Sequence, residues 1–180
     1  MSMREIRLAV TAEDRRIAAL AALAVGLSLA EAAFPAPIPG VKPGLANIVI
    51  LLVMLRYGLT AAAWVMVIRL LAASLMLGNF LSPGFWLAAA GAATSIGALC
   101  LVRHLPRTLF GPVSFSVVMA FAHIGGQLAL AKLWLFSVAD ISLLMPLFAL
   151  AALIFGTVNG LIVARLIAED SVPGAQSSHA

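Results

Sequence analysis

The stretch Pro35-Ala36-Pro37-Ile38-Pro39-Gly40-Val41-Lys42-Pro43-Gly44-Leu45-Ala46-Asn47 decides how this chain folds. It holds four of the nine prolines, and apolar sequence lies on both sides of it. Proline removes a backbone donor and pushes the residue before it out of the α region, so the run cannot be helical throughout. It carries Lys42, one of two lysines, and follows Glu31, an acid inside an apolar segment. The reading is a stiff, charged connection between two membrane spans.

Composition supports that reading. The chain of 180 residues is 63% hydrophobic with a mean hydropathy of +1.12. Charged residues make up 10%, against about 25% in soluble domains, too few to cover a globule of this size. An all-α integral membrane protein of one compact domain is expected. The net charge of +4 does not indicate nucleic acid, because the basic residues sit between apolar runs. Cys100 stands alone in an apolar run, which leaves no disulfide or thiolate metal site within one chain and points to a packing role.

Working outward from the proline-rich stretch, six spans are expected. The first is Ile17–Phe34, retained rather than cleaved, because its apolar run exceeds a usual signal core and a long segment of mixed charge precedes it. The second, about Gly44–Leu55, is short and stops at Arg56-Tyr57-Gly58, and the third runs from Thr60 to Leu77. Ser82-Pro83, an N-cap followed by proline at the first helical position, opens the fourth at Pro83–Val102. The fifth covers about Pro112–Phe136. The sixth covers about Ile141–Ile167, with Asp140 and Ser142 as candidate caps. Residues 1–16 then form a cytoplasmic N-terminal segment, 17–167 the transmembrane domain and 168–180 a disordered cytoplasmic tail.

Eight basic residues (Arg4, Arg7, Arg15, Arg16, Arg56, Arg103, Arg107, Arg165) fall on the side of the termini, and Lys42 and Lys132 fall on the other. The positive-inside bias puts both termini in the cytoplasm of a bacterial-type inner membrane and the proline-rich stretch outside. Arg69 lies near the middle of its span, where a central arginine costs about 2.5–3.5 kcal/mol, so a functional partner is expected there. On the fifth span Ser116, Ala120, His123, Gln127 and Ala131 recur at helical spacing as one small, polar stripe. Glu31, Lys42, Asn47, Ser74, Asn79 and Gln127 fall in the outer half, Arg69 and His123 mark the floor, and Ser95 and Asn159 lie below it. This depth order describes a pocket open to the outside and closed at the midplane, suited by its positive charge to an anionic or zwitterionic small molecule.

Small residues repeat at helical spacing elsewhere: Ala18, Ala22 and Gly26; Ala88, Gly91 and Ser95; Ala149, Ala152, Gly156, Gly160 and Ala164. Most are expected to be internal helix–helix packing, and the first also lies where a partner subunit would meet the chain. There is no phosphate-binding loop, no paired-acid cluster for Mg²⁺ within the spans and no nucleophile–histidine arrangement, so a stand-alone enzyme is not expected. No second histidine or acid stands at ligand spacing for a metal, and no cofactor is implied.

Taken together, I-P-G-V-K-P-G-L-A-N-I-V (Ile38–Val49), Arg69, Ser82–Phe85 with Gly91 and Ser95, and A-H-x-x-G-Q (Ala122–Gln127) resemble the Gx transporter family, also labelled heptaprenyl diphosphate synthase component I. The resemblance covers nearly all of residues 17–167, and position 43 departs from its pattern in being proline rather than an apolar residue such as leucine. That family is similar to the substrate-binding S components of energy-coupling factor transporters. The resemblance implies an S-component-like bundle of six helices, a pocket capped by the first loop, and partners consisting of a transmembrane coupling protein and cytoplasmic ATPases. Ala18 and Ala22 match the spacing of a first-span motif that meets the coupling protein. Glu31, Lys42, Asn47, Arg69, His123 and Gln127 are the expected substrate-binding residues. Lys42 and Arg69 would hold an anion, Asn47, His123 and Gln127 would supply hydrogen bonds, and Glu31 would meet a cation or amine. The family label carries a rival, a membrane subunit of a prenyl diphosphate synthase or of an isoprenoid or quinone pathway. A membrane subunit of a redox or flavin-handling system is a third reading.

Overall fold

Six helices follow one another: α1 Ala12–Ala33, α2 Leu45–Tyr57, α3 Leu59–Met76, α4 Pro83–Val102, α5 Pro112–Trp134 and α6 Val138–Asp170. The computed structural model describes residues 10–33, 42–106, 110–134 and 138–170, with the backbone alone through 138–143. Most of the proline-rich stretch, residues 35–41, therefore lies outside the described residues, as do 1–9 and 171–180.

Local chemistry explains the boundaries. α1 opens on a reciprocal cap in which Asp14 N donates to Thr11 Oγ1 (3.1 Å) and Thr11 N donates to Asp14 Oδ2 (2.9 Å). The break between α2 and α3 falls on Gly58, at φ 90° and ψ 174°, a backbone setting that favours glycine. Ser82 Oγ accepts from Phe85 N at 3.2 Å and Pro83 occupies the first turn of α4, as the sequence indicates. α6 starts earlier than expected, so Asp140 and Ser142 lie within it rather than before it. It also continues to Asp170, where the carboxylate pairs with Arg56 at the end of α2.

Five helices are long and apolar enough to cross a membrane, and α2 is a shorter apolar helix. The chain is a multi-pass membrane protein built as an all-α bundle. α2 has 13 residues and spans about 20 Å, so it falls short of a core of about 30 Å. Because Arg56 pairs with Asp170 at the terminal side, the start of α2 is set well below the opposite face. The register of α6 agrees. Asn159 Nδ2 donates to Pro43 O (3.0 Å) and Gly44 O (3.2 Å), so two parallel helices are joined near both ends of α2.

The bundle has two layers. α1, α2 and α3 pack on one another, and α5 packs on both α4 and α6; α2 and α3 join the layers. Glycines allow close approach in the second layer. A Cβ on Gly160 would lie 2.5 Å from Val113 Cα, and one on Gly91 would lie 2.9 Å from the His123 ring. The small-residue faces of α4 and α6 are thus internal packing, as expected. The face of α1 is not: Ala18, Ala22 and Gly26 are exposed, and α1 packs through Ala21 and Ala24 instead. Cys100 is also exposed, because its position on α4 turns away from α5, and it takes no part in the core. The half of the bundle nearer the termini is filled by Ile50, Leu51, Val53, Val65, Met66, Leu99, Met119 and Val163, all fully buried.

Candidate functional site

The other half of the bundle holds a cavity of about 410 Å³ between the two layers. Its lining comes from the end of α1, the start of α2, the last turns of α3, the start of α4, the second half of α5 and the middle of α6. Among the described residues none of the apolar plug below lines the cavity, which has the form of a cup there.

The two walls differ in chemistry. Among the described residues the α1–α3 layer contributes the charges, Glu31, Lys42 and Arg69, with Asn47 among them. The α4–α6 layer contributes neutral groups, His123, Gln127 and Asn159, beside Phe85, Ala120 and Phe155. All six residues singled out as substrate-binding line this one space.

Glu31 faces the start of α2, and its Oε1 accepts from Leu45 N at 2.6 Å. Gly44, at φ 72°, precedes that helix without a side-chain cap, so the carboxylate from α1 takes over a free amide of the first turn. Pro43, Gly44 and Asn47 all line the cavity, which brings the positive end of the α2 dipole to its wall. Arg69 Nη1 donates to Asn47 Oδ1 at 3.3 Å. Arg69 stands near the middle of α3, Leu59–Met76, as the sequence indicates, about 10 Å from the Met76 end and about 15 Å from the Leu59 end. Lys42 is exposed where it borders the cavity.

On the opposite wall His123 is held at both ring nitrogens. Ser95 Oγ lies 3.3 Å from Nδ1, and Gln127 Nε2 lies 3.2 Å from Nε2. Ser95 is fully buried beneath the ring and donates to Met119 O at 3.2 Å. Its place below the floor is as the depth order indicates. Asn159 is a correction, since it lines the cavity rather than lying under it. Asn159 reaches the cavity because α2 starts deep in the bundle and meets it there. An asparagine in an otherwise apolar helix, opposite a short partner, was the available signal. Among the described residues no three His, Cys, Asp or Glu side chains converge on a metal position.

A family model described as Heptaprenyl diphosphate synthase component I matches residues 20–166. The chain belongs to that family. No curated protein and no solved structure matches it.

Proposed function

We propose that this member of the Heptaprenyl diphosphate synthase component I family is the membrane-embedded substrate-binding subunit of an uptake transporter, S-component-like in design, for a small anionic or zwitterionic molecule. The observation that carries the reading is the one-sided cup: a polar, net positive cavity in one half of the bundle above a solid apolar plug in the other. Among the described residues the cup does not continue into the plug, which favours binding over conduction. Its volume is at the lower end of the range of about 300–1,000 Å³ for small-molecule sites. The bias of basic residues in the sequence supports cytoplasmic termini and a cup toward the outside.

Such a protein binds but has no means of driving release, so it works with a membrane coupling protein and cytoplasmic ATPases. The exposed Ala18 and Ala22, near the terminal end of α1, offer a smooth surface for close helix contact with the coupling protein. The family description favours a second reading, a membrane subunit of a prenyl diphosphate synthase. Among the described residues Glu31 is the one acid lining the cavity, and one of its oxygens is already engaged by α2. A Mg²⁺–diphosphate site needs more acids than that.

Native mass spectrometry of the purified protein tests the proposal. The wild type is expected to retain a small molecule that Arg69→Ala and Lys42→Ala lose. Retention unchanged in both variants would overturn the charge role. Co-purification of a soluble prenyl synthase in place of ATPases would favour the second reading.

A further inference from the structure

Three side-chain amides with hydrogen bonds into the protein line the cavity, and each has its orientation set by a partner that can play only one part. Backbone carbonyls only accept, so Asn159 turns its NH₂ to Pro43 O and Gly44 O. A guanidinium only donates, so Asn47 turns Oδ1 to Arg69 Nη1. Gln127 is set by a longer chain. The Met119 carbonyl accepts the one hydroxyl proton of Ser95. The remaining contact of that oxygen, 3.3 Å from His123 Nδ1, then needs the proton on Nδ1. A neutral imidazole carries one proton, so with that proton on Nδ1 the Nε2 atom keeps its lone pair. Gln127 Nε2 therefore donates to His123 Nε2.

Two carbonyl oxygens are left over, Oε1 of Gln127 and Oδ1 of Asn159, with no protein partner among the described residues. No side-chain polar atom among the described residues is both sealed and unpartnered, and both residues line the cavity. The α5–α6 wall thus presents acceptors, while Arg69 and Lys42 present donors across from it.

We infer that the bound molecule carries an N–H or O–H donor facing Gln127 and Asn159 and an anionic group facing Arg69 and Lys42. This inference rests on the binding reading above and narrows its substrate class. An amino-acid-like or hydroxy-acid-like molecule meets both walls. Inorganic diphosphate and prenyl diphosphates offer acceptors and an apolar tail, and leave the two oxygens unpaired. Ser95, which does not line the cavity, is a positioning residue: it acts through His123 on the amide of Gln127.

The test uses the full chain in nanodiscs with ¹⁵N-histidine, the His123 signal being assigned by its absence in His123→Gln. A neutral ring protonated at Nδ1 is expected. Ser95→Ala is expected to move the proton to Nε2, and Gln127→Glu, which offers only oxygens, to place one on Nε2 even should Ser95→Ala fail to fold. A wild-type proton on Nε2 alone, donated to the Gly91 carbonyl that also faces the ring, would overturn the inference. In parallel, the protein is loaded from a deproteinised cell extract and the retained molecule is identified by mass spectrometry. It is expected to carry both an acid group and a donor, to resist displacement by excess inorganic diphosphate, and to bind Ser95→Ala roughly tenfold more weakly. A retained anion without a donor, or ready displacement by diphosphate, overturns this inference and leaves the binding reading standing. Retention no greater than in Arg69→Ala overturns the binding reading and this inference with it.

Discussion

Arg69 is the residue whose energetics decide between a structural and a functional site. An arginine placed within a span costs about 2.5–3.5 kcal/mol on insertion scales, and its hydrogen bond to Asn47 returns only part of that. If it is kept for a ligand, Arg69→Met should raise the thermal stability of the empty protein while weakening ligand retention by roughly ten- to a hundredfold. A fall in stability with retention unchanged would make Arg69 structural. Glu31 separates the same way by two substitutions. Glu31→Ala removes the acceptor of Leu45 N and should destabilise by about 1 kcal/mol, the cost of an unmet, partly buried donor. Glu31→Gln keeps that acceptor and should unfold nearer the wild type than Glu31→Ala in thermal or denaturant titration. Arg69, His123 and Gln127 were legible in the sequence because ionic and amide groups stand out against apolar spans. The parts of Ser95 and Asn159 were not, because each depends on a partner in another helix and on how deep that partner sits.

At the scale of the elements, α2 explains the geometry of the cup. A helix of 13 residues cannot span the bundle, and being tied to α6 at Arg56–Asp170 and at Gly44–Asn159 it leaves its vacancy on one side only. The Gly58 break and the Ser82-Pro83 start were readable because φ > 0 and a hydroxyl cap have specific residue signatures. The start of α6 was not readable, because Asp140 and Ser142 are cap-forming residues that here lie inside the helix, and Pro146 sits inside it as well. The α1 face shows the limit of a small-residue pattern: Ala18 and Ala22 have the spacing of a packing stripe but point away from the bundle. Two glycines give a paired test. At Gly160 a Cβ would press on Val113 Cα, so Gly160→Ala should force α5 and α6 apart at a cost of about 1–3 kcal/mol, read as a lower melting temperature. Gly26 has open space around it, and Gly26→Ala should melt no lower than the wild type. Equal effects at the two sites would contradict the packing of α5 on α6.

At the scale of the whole molecule, the division into a charged layer and a neutral layer, with an apolar plug beneath, is what the proposed one-sided binding rests on. The exposed indoles sit where a membrane frame needs them. Trp86 and Trp134 lie near the cavity end and Trp64 near the terminal end, as side chains that favour the two interfaces. Sided access to the cup is therefore the most direct measurement. In a Cys100→Ser background, Ala73→Cys on the cavity wall and Met66→Cys in the plug are exposed to a membrane-impermeant maleimide added to sealed vesicles of known orientation. Ala73→Cys should label only from the side opposite the termini, and Met66→Cys from neither. Labelling of Ala73→Cys from the side of the termini, or of Met66→Cys from either side, would contradict a closed cup.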